Sequence, residues 1–304
     1  MSICSFSGPS DTPEISLLVS SYNKPDHLRK CLASIALQRG LDSLPEIVVT
    51  DDGSDQPTLD VIEQAVREWR LHVTLTTHPH AAFQLARCRN DGVRHSHAPY
   101  LLFLDGDCIL PPDHVAWHLR LRRPGYVMSG DCLRLDEETS SRIGLDEIRD
   151  GSFDNPRISP RSERMRLRKR HWSTLWYRWI RHRRKPSLVG NNVGIWRKDY
   201  ERVNGYDEEF VGWGCEDDDL ARRLRQCGVR VGSVLHRTCT YHLWHPVDPS
   251  APTKWSDGAN VARLLEERPP ICERGLNDLR DPESRSATIP IRSGETRVER
   301  YSPR

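Results

Sequence analysis

No apolar run in the 304 residues approaches the ~20 that a bilayer-spanning helix needs, which argues against a transmembrane segment. The opening stretch, MSICSFSGPSDTPE, has neither a basic nor an apolar region, so no secretory signal is expected there. Cysteines number nine, from Cys4 to Cys272, with no C-x-x-C pair. An odd, scattered set makes neither a closed disulfide framework nor a zinc finger, and points to reduced thiols in a cytoplasm. Internal repeats are missing too, which excludes a fibrous or solenoid protein. Nor does one sign of charge dominate: 45 Lys and Arg face 43 Asp and Glu, for a net charge of +2. What remains, 37% apolar and 29% charged residues with 9 Trp, suits a soluble enzyme of one large α/β domain or two modest ones.

The balanced total hides a local excess. Residues 157–185 hold 12 Arg or Lys and one acid, Glu163, a net +11 that leaves the rest of the chain at −9. So basic a block on an acidic body implies an anionic partner, or at least a solvated arm.

Short apolar runs at 15–19, 46–50, 73–75 and 100–104 read as strands buried on both faces. Helices are expected between them. Asp26 is the expected N-cap of the first, with Leu28, Cys31, Leu32 and Ile35 at helical spacing; the others span 59–69 and 82–96. This alternation builds an open, mostly parallel sheet by right-handed crossovers. Ligands of such sheets bind at the carboxyl ends of strands, where Tyr22, Asp51, Asp52, Asp105 and Asp107 fall. The second half is less regular. A strand is expected within 125–135, turns over 136–161, a basic helix over 162–185, and strands at 189–196, 229–231 and 238–243. A helix is expected over 216–227, stopped by Gly228. The expected organisation is a flexible tail (1–13) and one domain (14–250), with halves 14–110 and 111–250 and a basic insertion at 157–185. A polar, largely disordered tail (251–304) follows, with a weak helix near 253–268.

Three constellations carry chemistry. Asp105-Gly106-Asp107 ends a strand, and two carboxylates at i and i+2 can converge on a hard cation such as Mg²⁺ or Mn²⁺. Alone, the triplet reads equally well as an Asp-Gly turn; what raises it is His242 and His245 near another strand end. Third, Glu216-Asp217-Asp218-Asp219 opens a helix. One or two acids would satisfy the helix dipole; four repel one another, and crowding makes a carboxylate a better base. Trp213, between Gly212 and Gly214, offers a flat apolar plate for a sugar ring.

ISLLVSSYN, IVVTDDGSD, the Arg89-Asn90-x-Gly92 stretch and LLFLDGDCILPPD resemble the first half of family-two glycosyltransferases of the GT-A fold. VGNNVGIWRKDYERVNGYDEEFVGWGCEDDDLARRL resembles their second half, in the form shared with β-1,4-galactosyltransferases and related polysaccharide-synthesising enzymes. The resemblance implies an α/β, Rossmann-like sheet with an acceptor-binding second half. It implies that Ser20 and Tyr22 line the nucleotide pocket, that Asp51 or Asp52 binds uracil or ribose, and that Arg89 lies beside it. Asp105 would face ribose and metal, and Asp107 would ligate the metal with His245. His242 stands where the galactosyltransferases have a methionine ligand. Trp213 and Asp218 would meet the acceptor, and Asn191 and Asn192 would line the donor–acceptor cleft. Asp217, beside Glu216, would be the base. The implied reaction is metal-dependent, with Mn²⁺ or Mg²⁺, and inverting. It moves a hexose or N-acetylhexosamine from a UDP-sugar to a hydroxyl of a glycan or glycoconjugate. Two other readings compete: a nucleotidyltransferase on a similar sheet, disfavoured because no phosphate loop is visible, and a non-catalytic glycan- or lipid-binding protein, disfavoured by the intact acids and histidine.

The basic block departs from that resemblance. Between Pro160 and Pro186, the residues Trp172, Leu175, Trp176, Trp179 and Ile180 form one apolar helical stripe amid Arg and Lys. Either the stripe packs on the body, or it lies on an anionic membrane, which would make the protein peripheral to the inner face. Nucleic acid ranks last, because no fold for it accompanies the segment.

Overall fold

A computed structural model of the chain describes residues 13–182, 184–247, 251, 258 and 260–280. The expected tail at 1–13 therefore lies almost wholly outside the described residues, as does everything after 280.

In the first half, β1 (Ile15–Ser21), α1 (Pro25–Ala36), β2 (Glu46–Asp51), α2 (Gln56–Trp69), β3 (Val73–Thr77), α3 (Leu85–Arg94) and β4 (Tyr100–Asp105) alternate as expected. Side chains alternate across a strand, so a strand covered on both faces reads as a nearly unbroken apolar run. Leu17 and Val19 join the cluster made with Leu28, Leu32 and Ile35 of α1, while Leu18 joins the opposite cluster with Phe103 and Val193. Pro25 starts α1, where its missing N–H loses nothing, so Lys24 takes the cap position and Asp26 falls in the first turn. The third helix starts at Leu85 rather than 82. The preceding loop is held to Asp52, whose carboxylate accepts the Gln84 backbone N–H.

Beyond β4 come β5 (Cys108–Ile109), α4 (His114–Leu121), β6 (Tyr126–Ser129), β7 (Cys132–Arg134), α5 (Glu137–Arg142), α6 (Leu145–Asp150) and α7 (Arg161–Trp179). Then follow β8 (Asn192–Trp196), α8 (Arg197–Glu201), α9 (Glu216–Gln226), β9 (Arg230–Ser233), β10 (Thr240–His242) and α10 (Val261–Leu265). One sheet has the order β3-β2-β1-β4-β8-β6-β9, in which only β8 runs against the rest; a small sheet has the order β5-β10-β7. The single strand expected within 125–135 is thus two strands in different sheets. The chain turns between them at Gly130, where a Cβ would meet the Asn192 amide at 2.2 Å. Two short helices replace the turns expected over 136–161.

One expectation needs correction, and one of the two readings of the basic helix falls. Residues 260–280 are packed rather than loose. Cys272 is buried, Leu276 packs on the core, and Arg263 and Arg268 both pair with buried Asp207. The Arg-rich composition read as disorder, yet the Arg263 and Arg268 guanidiniums have buried acids to meet. Within that stretch the helix covers only Val261–Leu265. In α7, the Trp stripe does not pack on the body: Trp172, Trp176 and Trp179 are 69%, 56% and 73% exposed. The inward face is Leu167 and Thr174, packed toward β7 and β9. Among the described residues, no helix is long and apolar enough to cross a membrane.

Candidate active site

Strand register brings the first constellation together. The antiparallel pairing of β10 with β5 sets His242 opposite Cys108, one residue past Asp107. The His242 Nε2 lies 3.5 Å from Asp107 Oδ1, and the His245 Nε2 lies 3.1 Å from Asp107 Oδ2. Ligand atoms of the three residues fall within 4.8 Å of one another. The Lys24 ammonium sits among them, 2.8 Å from Asp107 Oδ2 and 3.0 Å from His245 Nε2. Burial would raise the Asp107 pKa, but the His245 hydrogen bond, His242 and Lys24 outweigh it and hold the carboxyl well below the usual range. The Asp107 bond raises the His245 pKa, whereas burial lowers that of His242. A carboxylate and two imidazoles already gathered around a cation are a donor set that fits Mn²⁺, and less well Mg²⁺.

Asp105 falls outside this group. Its Oδ1 lies 3.4 Å from Arg89 Nη2. Burial pushes its pKa up to about 6, against Arg89 and aided by Asp107 and Asp217. The two acids of the Asp-Gly-Asp triplet thus serve different neighbours.

Arg89 is the hub of the second constellation. Only 2% exposed, it donates from Nη1 to Asp217 Oδ1 at 2.9 Å and to Glu216 Oε1 at 3.4 Å, and faces the Tyr206 ring at 5.0 Å. It therefore ties the end of β4 to the start of α9, instead of lying free beside a nucleotide. Asp217 also accepts from the Tyr206 hydroxyl at 2.9 Å and from the Gly190 N–H at 2.7 Å. Residue 190 must be glycine, since a Cβ there would stand 2.2 Å from Arg89 Nη2. Burial, then Asp217, pushes Glu216 up to about 8, so it holds a proton near neutral pH. Burial also raises the Asp218 pKa. Asp219 is fully buried, bound by Arg223 at 2.6 Å, Arg222 at 2.9 Å and Arg268 at 3.1 Å, and belongs to the framework. Of the four crowded acids, Asp219 is a structural anchor for three arginines, Glu216 and Asp217 gather on Arg89, and Asp218 belongs to neither group.

The remaining residues line the ends of β1 to β3. The Tyr22 ring stacks on His80 at 4.3 Å. Asp51 Oδ2 accepts from the Gly53 and Ser54 N–H groups and from Thr77, while Oδ1 is buried without a partner. Asp52 is taken up by His78 at 2.9 Å, His80 at 3.4 Å and the Gln84 N–H. Asp52, His78 and Cys88 also cluster, but both Asp52 oxygens are already engaged. Ser20 Oγ meets Thr50 Oγ1 at 3.5 Å, and its carbonyl accepts the Gly106 N–H.

The expectation that Asn191 and Asn192 both line the cleft needs correction. Asn192 is fully buried, its Oδ1 facing His118 at 2.8 Å and His114 at 3.2 Å. Asn191 meets Cys132 Sγ with its amide and leaves Oδ1 buried and unpartnered. Trp213 is 45% exposed on a loop fixed by the Gly212 N–H to Phe83 and by Asn260, whose amide donates to the Gly214 carbonyl at 2.9 Å. Lys24, His78, His80 and Tyr206 escaped the sequence reading. The pair His78-x-His80 directly after the third strand was a usable signal, since it lies at the same carboxyl edge.

The model of glycosyl transferase family 2 matches residues 16–185, and one described as the N-terminal domain of galactosyltransferase matches 170–246. The first spans more than half of the chain, which belongs to glycosyl transferase family 2. The activity that names this family is glycosyl transfer. The chain is 28% identical over 285 residues to validoxylamine A glucosyltransferase of Streptomyces hygroscopicus subsp. limoneus, covering 84% of this chain and 55% of that protein. To chondroitin synthase of Escherichia coli it is 26% identical over 276 residues, covering 86% and 39%. It thus spans about half or less of these curated relatives. Among solved structures, GalNAc-T7 with UDP, GalNAc and Mn²⁺ superposes with a TM-score of 0.56 at 15% identity, covering 84% of this chain and 48% of that one. A mannosyltransferase of Pyrobaculum calidifontis with GDP-Man and Mn²⁺ gives 0.52 at 19% identity, covering 74% and 55%. These likenesses establish the GT-A fold.

Proposed function

We propose that the protein transfers a hexose or N-acetylhexosamine from a UDP-sugar to a hydroxyl of a glycan or glycoconjugate, inverting the anomeric carbon, with Mn²⁺ or Mg²⁺ as cofactor. The carrying observation is the nearness of two sites: Asp107 with His242 and His245, and Asp217 with Glu216 on Arg89, which also meets Asp105, two residues before Asp107.

Asp107, His242 and His245 would hold the divalent ion. When bound, it offsets the charge that develops on a leaving diphosphate. Asp51, with its free buried Oδ1, is the better placed of the two adjacent acids to accept an N–H or O–H from the nucleoside, since Asp52 is engaged. The stacked Tyr22 and His80 offer a plane for the base. Trp213 and Asp218 stand on the acceptor side. Asp217 takes the acceptor's proton as the new C–O bond forms and the bond to the diphosphate breaks. Arg89, Tyr206 and the Gly190 N–H hold it in place for that transfer. Glu216, carrying a proton, adds no second negative charge beside it.

Nucleotide release from a panel of UDP-sugars, with Mn²⁺, with Mg²⁺ and with chelator, tests the reading. Turnover with one donor that chelation abolishes is expected. Equal turnover after chelation would overturn the metal role, and inactivity towards every UDP-sugar would overturn the donor class.

A further inference from the structure

We propose that the outward face of α7 docks on a surface of anionic lipid. The opposite face of this helix is fully accounted for. Arg166 Nη1 and Arg170 Nε reach the buried Asp131 carboxylate at 2.8 Å and 3.3 Å, His171 Nδ1 meets Ser233 Oγ at 3.0 Å, and Leu167 and Thr174 are buried. Side chains three and four apart share a helix face, so a second stripe runs along the outside. It reads Arg161, Met165, Arg168, Lys169, Trp172, Leu175, Trp176, Trp179 and Ile180.

That stripe has a definite order. Trp172, Leu175, Trp176 and Trp179 line one shallow apolar surface, with the Trp176 and Trp179 rings 5.2 Å apart. Three indoles more than half exposed on one helix face form the kind of patch that marks an interaction site. Cations flank it at both ends, Arg168 and Lys169 on one side and Arg181 and Arg184 on the other. All four are exposed, and none forms an ion pair among the described residues. Indoles sit well at the level of lipid headgroups, with Arg and Lys on the anionic phosphates around them.

The flanking charge decides between occupants. A second copy stacked face to face would bring cation clusters together with no acids between them. A purely polar polyanion would satisfy the cations but leave the indole plates in water. Anionic lipid answers both. The face is also well placed for the proposed reaction, because the chain leaves α7 and within a dozen residues reaches Gly190, whose N–H binds Asp217. A docked α7 would hold the acceptor side against the membrane. That last step rests on the proposed function; the docking does not, and vesicle binding is read without any donor.

The test is co-sedimentation of the whole chain with vesicles of phosphatidylcholine, alone or mixed with phosphatidylglycerol. Tryptophan emission and thermal unfolding are followed in parallel. Binding to the mixed vesicles only is expected, with a blue shift, and weakening by about tenfold as salt is raised. The triple variant Trp172→Ser, Trp176→Ser, Trp179→Ser should lose binding by a similar factor at an unchanged melting temperature, because these side chains are exposed. Should it fail to fold, Arg168→Gln with Lys169→Gln and Arg181→Gln carries the same test. No binding at low salt, equal binding to both vesicle types, or undiminished binding by a folded variant would each overturn the proposal. So would a dimer that the variant dissolves, or retention on heparin without retention on vesicles.

Discussion

The two acidic clusters of the site are built on opposite principles. Asp107 is surrounded by groups that can exchange a proton or move: two imidazoles and the ammonium of Lys24 on a flexible stem. Asp217 is surrounded by groups that can do neither: a buried guanidinium, a tyrosine hydroxyl and a backbone N–H. On the proposed reading the first exchanges a cation and the second holds one carboxylate still. Arg89 makes the second arrangement possible, since a guanidinium stays charged when buried and reaches several acids at once.

The comparison can be broken most sharply at Asp217. Asp217→Asn keeps the shape and removes the proton acceptor, so turnover should fall by roughly 10²–10⁴ with nucleotide affinity little changed. Steady-state kinetics beside UDP titration measure both, and an active Asp217→Asn with an inactive Glu216→Gln would move the role to Glu216. Arg89→Met tests the rigid cluster as structure. It takes the shared guanidinium from Asp105, Glu216 and Asp217 at once, and equilibrium urea unfolding should show a loss of about 3 kcal/mol. A loss below about 1 kcal/mol, the scale of an exposed pair, would mean that Arg89 is not the hub.

Smaller changes sharpen the contrast. Lys24→Met removes the cation that competes for Asp107, so calorimetric Mn²⁺ affinity should rise by about fivefold, the equivalent of ~1 kcal/mol of lost competition. A fall instead would make Lys24 a helper of the ion. The last change is in pH dependence. Glu216 has a raised pKa, from 4.5 to about 8, so the native state binds its proton more tightly than the unfolded chain. Its contribution to stability is present below pH 4.5 and is lost as pH rises through about 8. The melting temperature of Glu216→Gln should therefore decline less over that window than that of the wild type. Parallel curves would show that Glu216 titrates normally.

Much of the first half was legible in the sequence, because β1, β2 and β4 are covered on both faces and leave unbroken apolar runs. The metal-type group was legible only as residue types. Its geometry depends on β5 and β10, two and three residues long, whose pairing leaves no periodic trace. The basic helix was found, but its orientation was not deducible from amphipathicity. Its inward face sets Arg166 and Arg170 on Asp131 beside Leu167 and Thr174, so the apolar stripe is the outside. Asn192 looked like a cleft residue beside Asn191, yet strand alternation turns it inward to His114 and His118. Composition misled again at 260–280, where charge signals ion pairing rather than solvation.

That last segment bears on where the folding unit ends. Arg263 and Arg268 supply the counter-charge to Asp207, Asn204 binds the carbonyls of Cys272 and Asn277, and Asn260 steadies the loop of Trp213. A chain trimmed at residue 250 would lose all of these at once, leaving a buried carboxylate unneutralised and the tryptophan plate on a slack hinge. Loss of that segment would therefore loosen the Trp213 loop at a distance, while leaving the side chains around Asp107 and Asp217 unchanged.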